Sequence, residues 1–385
     1  MLIRGRDGWN LRGMGENGMR GTRWALALLL CMGAIGARAQ SSSDGLIFPP
    51  LSSGHALPGT QRYNHASTLV ELKGGDLLVA WFNGLGEGDP NVVIRGARFS
   101  NGKWSDPVEL ARADHLACWN PVLFHTKDGR LWLYYKYGTT PRTWFGARKW
   151  SKDEGRTWSA EEKLPDGILG PIKDKPLVMS DGAIVSGSSV EKEQDSPEIG
   201  RWSAWIERST DSGANWTKFG PITLSESMDV PDASAPPPAR PARTIGIIQP
   251  AVVQLKGKHL RFYARSQSKA KKIAVSDSFD AGKTWSELHY IDLPNPNSGI
   301  DAVRLRDGRI VLVFNNSATR RTPLNLAVSR DGEHFKIFKT LEDAPGQYSY
   351  PAIIQAKNGD LVTSYSWRTE TIKCVRIPLA EVPQN

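Results

Sequence analysis

Cysteine is scarce in this chain of 385 residues: three are present, too few for a disulfide scaffold. Long apolar runs are lacking too. The stretch from residue 24 to 36 has 13 residues, short of the about 20 that a helical membrane span needs. No spaced His/Cys cluster of the kind that holds a transition metal is present. Neither a phosphate-cradling glycine loop nor a Ser-His-Asp pattern stands out. What remains is an ordinary folded composition, 39% hydrophobic and 23% charged, with Trp (14) outnumbering both Phe (11) and Tyr (9).

The apolar run follows Arg20 and Arg23 and precedes Ala37-Arg38-Ala39, so it reads as a secretory signal peptide cut after Ala39. The mature protein is expected to be secreted or periplasmic, without a membrane span. The formal charge of +9 includes six Arg and two acids from this segment; removing them leaves +5 and little basis for a nucleic-acid partner. Cys31 leaves with it, and the remaining Cys118 and Cys374 permit one disulfide without implying it. Residues 40 to 60 read as a linker.

The rest of the chain is repetitive. Six turn signals sit between strand-like flanks, with glycines at 75, 129, 182, 257, 308 and 359, spaced 54, 53, 75, 51 and 51 residues apart. Each predicts a hairpin, glycine supplying the positive φ of the turn. The long interval holds a Pro/Ala-rich stretch that reads as an inserted loop, residues 221 to 246. A second motif, S-x-D-x-G-x-x-W, occurs at 151–158, 209–216 and 278–285, with degenerate copies at 100–104 and 329–335. Its Ser and Asp bond back to the turn backbone, and its aromatic ring packs between units.

These motifs resemble the Asp-box, or bacterial neuraminidase repeat, of the sialidase-like superfamily. The resemblance covers about residues 60 to 378 and implies an all-β, six-bladed β-propeller with four-stranded antiparallel blades over 61–380. Six all-β units of roughly 52 residues fit that architecture independently. A seventh blade would need strands from residues 44–60 or 221–246.

In a propeller the innermost strands start at the central mouth, where ligands bind. Those starts read Asn64-His65-Ala66, Trp119-Asn120-Pro121, Lys173-Asp174-Lys175, Ile248-Gln249-Pro250, Gly299-Ile300-Asp301 and Ser349-Tyr350-Pro351. Polar residues occupy every one, and unpaired buried polar groups cost about 1–3 kcal/mol each. A sugar bearing a carboxylate suits this set, because Arg grips the acid, amides take hydroxyls and aromatic faces cover the ring. Asn120, Lys175, Gln249, Asp301 and Trp144 are therefore candidate substrate contacts. Asp301 could alternatively pair with Lys175 or hold a structural cation at the axis; no other cofactor is expected.

The resemblance also implies roles. Arg265 and Arg321 match two members of an arginine triad that grips the substrate carboxylate. Tyr350, or Tyr348, matches the nucleophile, Glu191 its partner, and Glu87 or Asp89 the acid on a first-blade loop. One departure stands out: the family's Arg-Ile-Pro in the first inner strand is Asn64-His65-Ala66 here, so a titratable imidazole replaces the third arginine. The expected function is sialidase-type hydrolysis of a terminal acidic sugar by a secreted, exo-acting monomer. The alternatives are β-elimination at a uronate, as in rhamnose-glucuronate lyases, with His65 and Tyr350 together supplying the base and the acid, and a non-catalytic glycan-binding propeller.

Overall fold

A computed structural model of the chain describes residues 45–50, 61–191, 202–225 and 244–384. The proposed signal peptide, 1–39, and the middle of the insert, 226–243, lie outside the described residues. Strands are the main regular structure of those described; their one helical element is a 3-10 turn at Leu379–Glu381. No helix among them is long and apolar enough to cross a membrane.

Six antiparallel sheets follow one another along the chain as the blades of a six-bladed β-propeller. Their innermost strands are Tyr63–Glu71, Cys118–His125, Leu177–Val178, Ile247–Lys256, Asp301–Arg304 and Tyr348–Gln355. Blade 1 carries a short extra hairpin strand, Lys103–Trp104, beside its fourth strand, Val108–Ala111. Blades 2 to 5 each have four strands, and blade 6 takes three from its own stretch of chain.

The missing strand of blade 6 comes from the other end of the chain. Leu46 bridges Lys373, Ile47 N–H donates to Ile372 at 2.9 Å, and Cys374 N–H donates to Gly45 at 2.8 Å. Part of the stretch expected as a linker thus closes the ring. Ile47 and Phe48 explain the docking, since both are buried in the apolar cluster shared by blades 6 and 1, and Phe48 stacks on Trp81 at 5.5 Å. The ends of the insert pair as a two-stranded ladder, Leu224–Ser225 with Thr244–Ile245. Neither stretch supplies a seventh blade among the described residues.

The repeat motifs work as their chemistry demands. All six turn glycines have positive φ, from 58° to 100°. In the box at 151–158, Ser151 donates to Asp153 at 2.7 Å, and the Gly155 and Thr157 N–H groups bond back to Ser151 and Asp153, each at 2.8 Å. The same bonds recur around Asp211, Asp280 and Asp331. Trp216 of blade 3 meets Tyr134 of blade 2 edge-on at 6.2 Å, and Phe335 of blade 5 meets Tyr263 of blade 4 at 5.7 Å.

Ring closure rests on a few buried side chains near the N-terminus. Phe48→Ala should therefore destabilise the whole propeller by about 3–5 kcal/mol, the usual cost of emptying a buried aromatic site. Urea denaturation of the two proteins measures it, and a difference below about 1 kcal/mol would show that the ring closes without this contact.

Candidate active site

Four of the six innermost strands break register at the same place. The ladder shifts between His65 and Thr68, Trp119 and Val122, Ile248 and Ala251, and Ser349 and Ala352. Within each break one non-glycine residue takes a positive φ: Ala66 (56°), Asn120 (31°), Gln249 (59°) and Tyr350 (50°). A bulge of this kind re-aims a side chain. Proline follows three of these residues, at 121, 250 and 351, where the interrupted ladder has no use for the N–H that proline lacks.

Tyr350 is the centre of the resulting group. Arg265 Nη1 donates to its hydroxyl at 3.1 Å, and Gln249 Nε2 reaches the same oxygen at 3.4 Å. The Arg265 guanidinium also donates through Nε to Asn297 Oδ1 at 2.8 Å and lies over the Trp202 ring at 5.2 Å. Arg321 approaches the Tyr350 ring from blade 5, 5.7 Å from its centroid. The His65 imidazole contacts Tyr350 with ring centroids 4.4 Å apart.

His65 is fully buried, and its Nδ1 has no hydrogen-bond partner among the described residues. Burial, reinforced by the positive charges of Arg321, Arg265 and Lys173, pushes its pKa down to about 3. The ring is therefore neutral at ordinary pH, and its surroundings oppose protonation. Its Nε2 lies 3.7 Å from Glu87 Oε1. Glu191 is pushed up to about 7 by burial; Glu87 adds to the rise, while Arg265 and Arg142 oppose it. Burial, with Glu87 nearby, also raises the Tyr63 phenol well above its usual range.

The two open choices from the sequence are separated by packing. Tyr348 is completely buried with its ring against Trp367, whereas half-buried Tyr350 has ring or hydroxyl contacts with Arg265 and Arg321. Asp89 accepts the N–H of Asn91 within its own loop at 2.8 Å, whereas Glu87 approaches His65. His65, Glu87, Tyr350, Arg265, Arg321, Gln249 and Glu191 thus form one neighbourhood, linked by the contacts and charge couplings given above.

Other candidates stand elsewhere. Asn120 donates to the Ile172 carbonyl at 3.2 Å, joining blades 2 and 3. Trp144 packs edge-on against Trp119 at 6.0 Å and lines a groove beside Glu191. Lys175 and Asp301 bond to each other at 2.8 and 3.0 Å, and Asp301 also accepts the N–H groups of Ala302 and Ile353. They share no hydrogen bond or ring contact with the Tyr350 group and act as a strut between blades. Positive charge at the axis comes from Lys175 and Lys173, whose Nζ donates to Asp174 at 2.7 Å, Ile300 O at 2.5 Å and Pro351 O at 2.6 Å. Among the described residues no three His, Cys, Asp or Glu gather as a metal site.

Four contributors were not singled out from the sequence: Tyr63, Trp202, Asn297 and Lys173. Lys173 carried a usable signal, since it begins the inner-strand start from which Lys175 was chosen. Trp202 and Asn297 reach Arg265 from blade 3 and from the loop between blades 4 and 5, a relation that no local pattern encodes.

The architecture and the Asp-box turns define a sialidase-like β-propeller. Residues 75–363 match the model of the BNR repeat-like domain, and the chain belongs to that family. Among solved structures, the NanB sialidase from Streptococcus pneumoniae aligns with a TM-score of 0.67 at 14% identity, over 88% of this chain and 71% of that one. A protein of unknown function from Dyadobacter fermentans gives 0.65 at 17%, over 83% and 96%. The intramolecular trans-sialidase from Ruminococcus gnavus gives 0.61 at 13%, over 84% and 96%. At these identities the likeness is one of fold. No curated protein matches the sequence.

The depressed pKa of His65 has a stability consequence. An unfolded imidazole takes its proton near 6.5, while the folded one refuses it down to about 3. The contribution is thus complete above 6.5 and lost as pH falls towards 3. Relative to His65→Gln, the wild type should lose about 2–3 kcal/mol between neutral pH and roughly pH 4.5. Denaturation midpoints across that range measure the difference; parallel curves would show that His65 is protonated in the folded protein.

Proposed function

We propose that this chain is an exo-acting carbohydrate-active enzyme, outside the cytoplasm, that cleaves the glycosidic bond of a terminal acidic sugar at this mouth. The observation that carries it is the convergence of two guanidinium groups and a neutral imidazole on one tyrosine. Arg265 and Arg321 are the groups to grip a sugar carboxylate, and the Arg265 bond to the Tyr350 hydroxyl orients its oxygen. Gln249 is placed to take a hydroxyl.

In the hydrolytic route the Tyr350 oxygen attacks the anomeric carbon as His65 takes its proton, and Glu87 protonates the departing oxygen. Water then displaces the tyrosine from the glycosyl intermediate, with Glu87 now acting as base. Likeness of fold to proteins described as sialidases supports this route.

The identity of residue 65 favours a second one. With the uronate carboxylate neutralised by two arginines, His65 removes the C5 proton, the C4–O bond breaks as the C4=C5 double bond forms, and the Tyr350 hydroxyl gives its proton to the leaving oxygen. A neutral imidazole in the place of a third arginine suits proton abstraction better than carboxylate binding.

Incubation with sialosides and with rhamnose-capped glucuronides, followed by product mass, separates the routes. Hydrolysis adds one water across the two products; elimination adds none and creates an unsaturated uronate that absorbs in the ultraviolet. Tyr350→Phe should lower kcat by about 10²–10⁴ with little change in affinity. Binding of either glycan without turnover would overturn the enzymatic assignment in favour of a glycan-binding module.

His65→Arg makes a sharper comparison, because it restores a third cation. If residue 65 is the base of an elimination, this variant binds the acidic sugar more tightly yet loses turnover. Retained or increased turnover would exclude that role.

A further inference from the structure

The rim of the mouth is not uniform in charge. Beside blades 2 and 3 the lysines are engaged: Lys163 pairs with Asp166 at 3.1 Å, and Lys218 bonds to Gly167 O at 2.8 Å and lies 3.6 Å from Glu207. The side formed by blades 5, 6 and 1 differs. Arg320 and Arg321 stand there in the loop after Ile310–Asn315, Arg368 in the loop after Leu361–Trp367, and Arg62 just before Tyr63–Glu71.

Backbone hydrogen bonds lace these segments into one arc. Tyr348 N–H donates to Arg321 O at 2.9 Å, Arg368 N–H to Gln347 O at 2.8 Å, and Asn64 N–H to Thr369 O at 2.7 Å. Asn64 Nδ2 adds a bond to Glu370 O at 2.8 Å. The arc therefore has a fixed order, from Arg320 and Arg321 on blade 5, past Arg368 on blade 6, to Arg62 at the entry to blade 1. Its inner edge is the site itself, since Arg321 faces the Tyr350 ring and Asn64 precedes His65.

Among the described residues no carboxylate lies within ion-pair distance of Arg62, Arg320 or Arg368. Arg62 and Arg320 are exposed. Arg368 is half-buried; its guanidinium lies 4.5 Å from the centre of the Trp367 ring, and its Nε has no hydrogen-bond partner. A guanidinium stacked on an aromatic face keeps its N–H edge for a ligand. The acids on the same segments are Asp343 and Glu370, so the arc carries an excess of positive charge. Arginines gathered without acid partners repel one another, and a bound anion removes that cost.

We infer that this arc is a docking track for an anionic polysaccharide, holding the chain whose terminal acidic sugar enters the mouth. The inference rests on the glycan-cleaving role proposed above. A row of separate cations fits a polymer with a carboxylate on successive sugars better than a single small anion, which one guanidinium would satisfy. A neutral chain would leave the row without partners. Because the track ends at Arg321, a chain steered along it delivers its last carboxylate beside Tyr350.

Two measurements test it. The first is titration calorimetry of the whole protein with a galacturonate tetramer and with its methyl ester. The acid should bind about tenfold or more tightly than the ester. Its affinity should fall about tenfold as sodium chloride rises from about 0.01 to about 0.1 M, which shortens the screening length from about 30 to about 10 Å. The double variant Arg62→Gln, Arg320→Gln and the single variant Arg368→Gln should each weaken acid binding about three- to tenfold, while Lys163→Gln, on the paired side, changes it by less than about twofold. Equal affinity for acid and ester, or losses in Lys163→Gln equal to those of the arc variants, overturns the track.

The second compares turnover of two substrates sharing one terminal acidic sugar, linked either to nitrophenol or to a uronate trisaccharide. The double variant should lose about tenfold in kcat/KM on the extended substrate and stay within about twofold on the short one. Equal losses on both overturn the inference. Tetramer binding that depends on the arc, in a protein that cleaves neither substrate, leaves the track standing and removes the proposed reaction. Cleavage of the short substrate without arc-dependent tetramer binding does the reverse.

Discussion

The propeller and its mouth depend on one buried ammonium group. Lysine has three N–H donors, and at Lys173 all three are used: on Asp174 in the segment leading into blade 3, on the Ile300 carbonyl at the start of blade 5, and on the Pro351 carbonyl in blade 6. The Ile300 carbonyl lies just before its strand and the Pro351 carbonyl lies within a bulge, so both need donors from side chains. A charge this deep in the protein is tolerable only with an anion and carbonyl dipoles around it, which is what Asp174, Ile300 and Pro351 supply.

The same cation shapes the chemistry above it. Gly299 fits between Lys173 and the site: a Cβ at that position would lie 3.4 Å from both Lys173 Cε and Gln249 Oε1, and 3.7 Å from Tyr350 Cγ. A Cβ at residue 299 would be in ordinary van der Waals contact on three sides, because the axial strut and Tyr350 pack against the same backbone. The charge of Lys173 also adds to those of Arg321 and Arg265 in keeping His65 unprotonated. Fold stitching and acid–base tuning are therefore parts of one arrangement, and a substitution at 173 would disturb both.

What was legible in the sequence is what repeats locally. A turn glycine or an Asp-box serine acts within a few residues of itself, so its role survives without knowledge of the fold. The inner-strand starts were legible for a related reason, since the spacing of the repeats places them. Pairing across blades was not. Whether Asp301 faces ligand or Lys175 depends on residues 126 apart in the chain, and the seating of Arg265 on Trp202 and Asn297 depends on two different segments. The ring-closing role of Ile47 and Phe48 was hidden likewise, because a short apolar stretch outside the repeat has no partner until the last blade is in place.

The unusual feature of the mouth is a buried imidazole, His65, beside two guanidinium groups. In the free protein the field of two guanidinium groups and an ammonium, together with burial, makes protonation of His65 unfavourable. A substrate carboxylate seated between Arg265 and Arg321 would cancel much of that field. The proton affinity of His65 would then rise as the acidic sugar binds, so the base would strengthen only when a carboxylate is present to be acted on. Burial would remain the dominant cause of the depression, which keeps the imidazole neutral at the start of the reaction. On this account an imidazole at residue 65 differs from a third guanidinium in more than its grip on an anion. It exchanges a fixed charge for a group whose protonation depends on the anion beside it, and that exchange suits proton transfer better than tight ground-state binding.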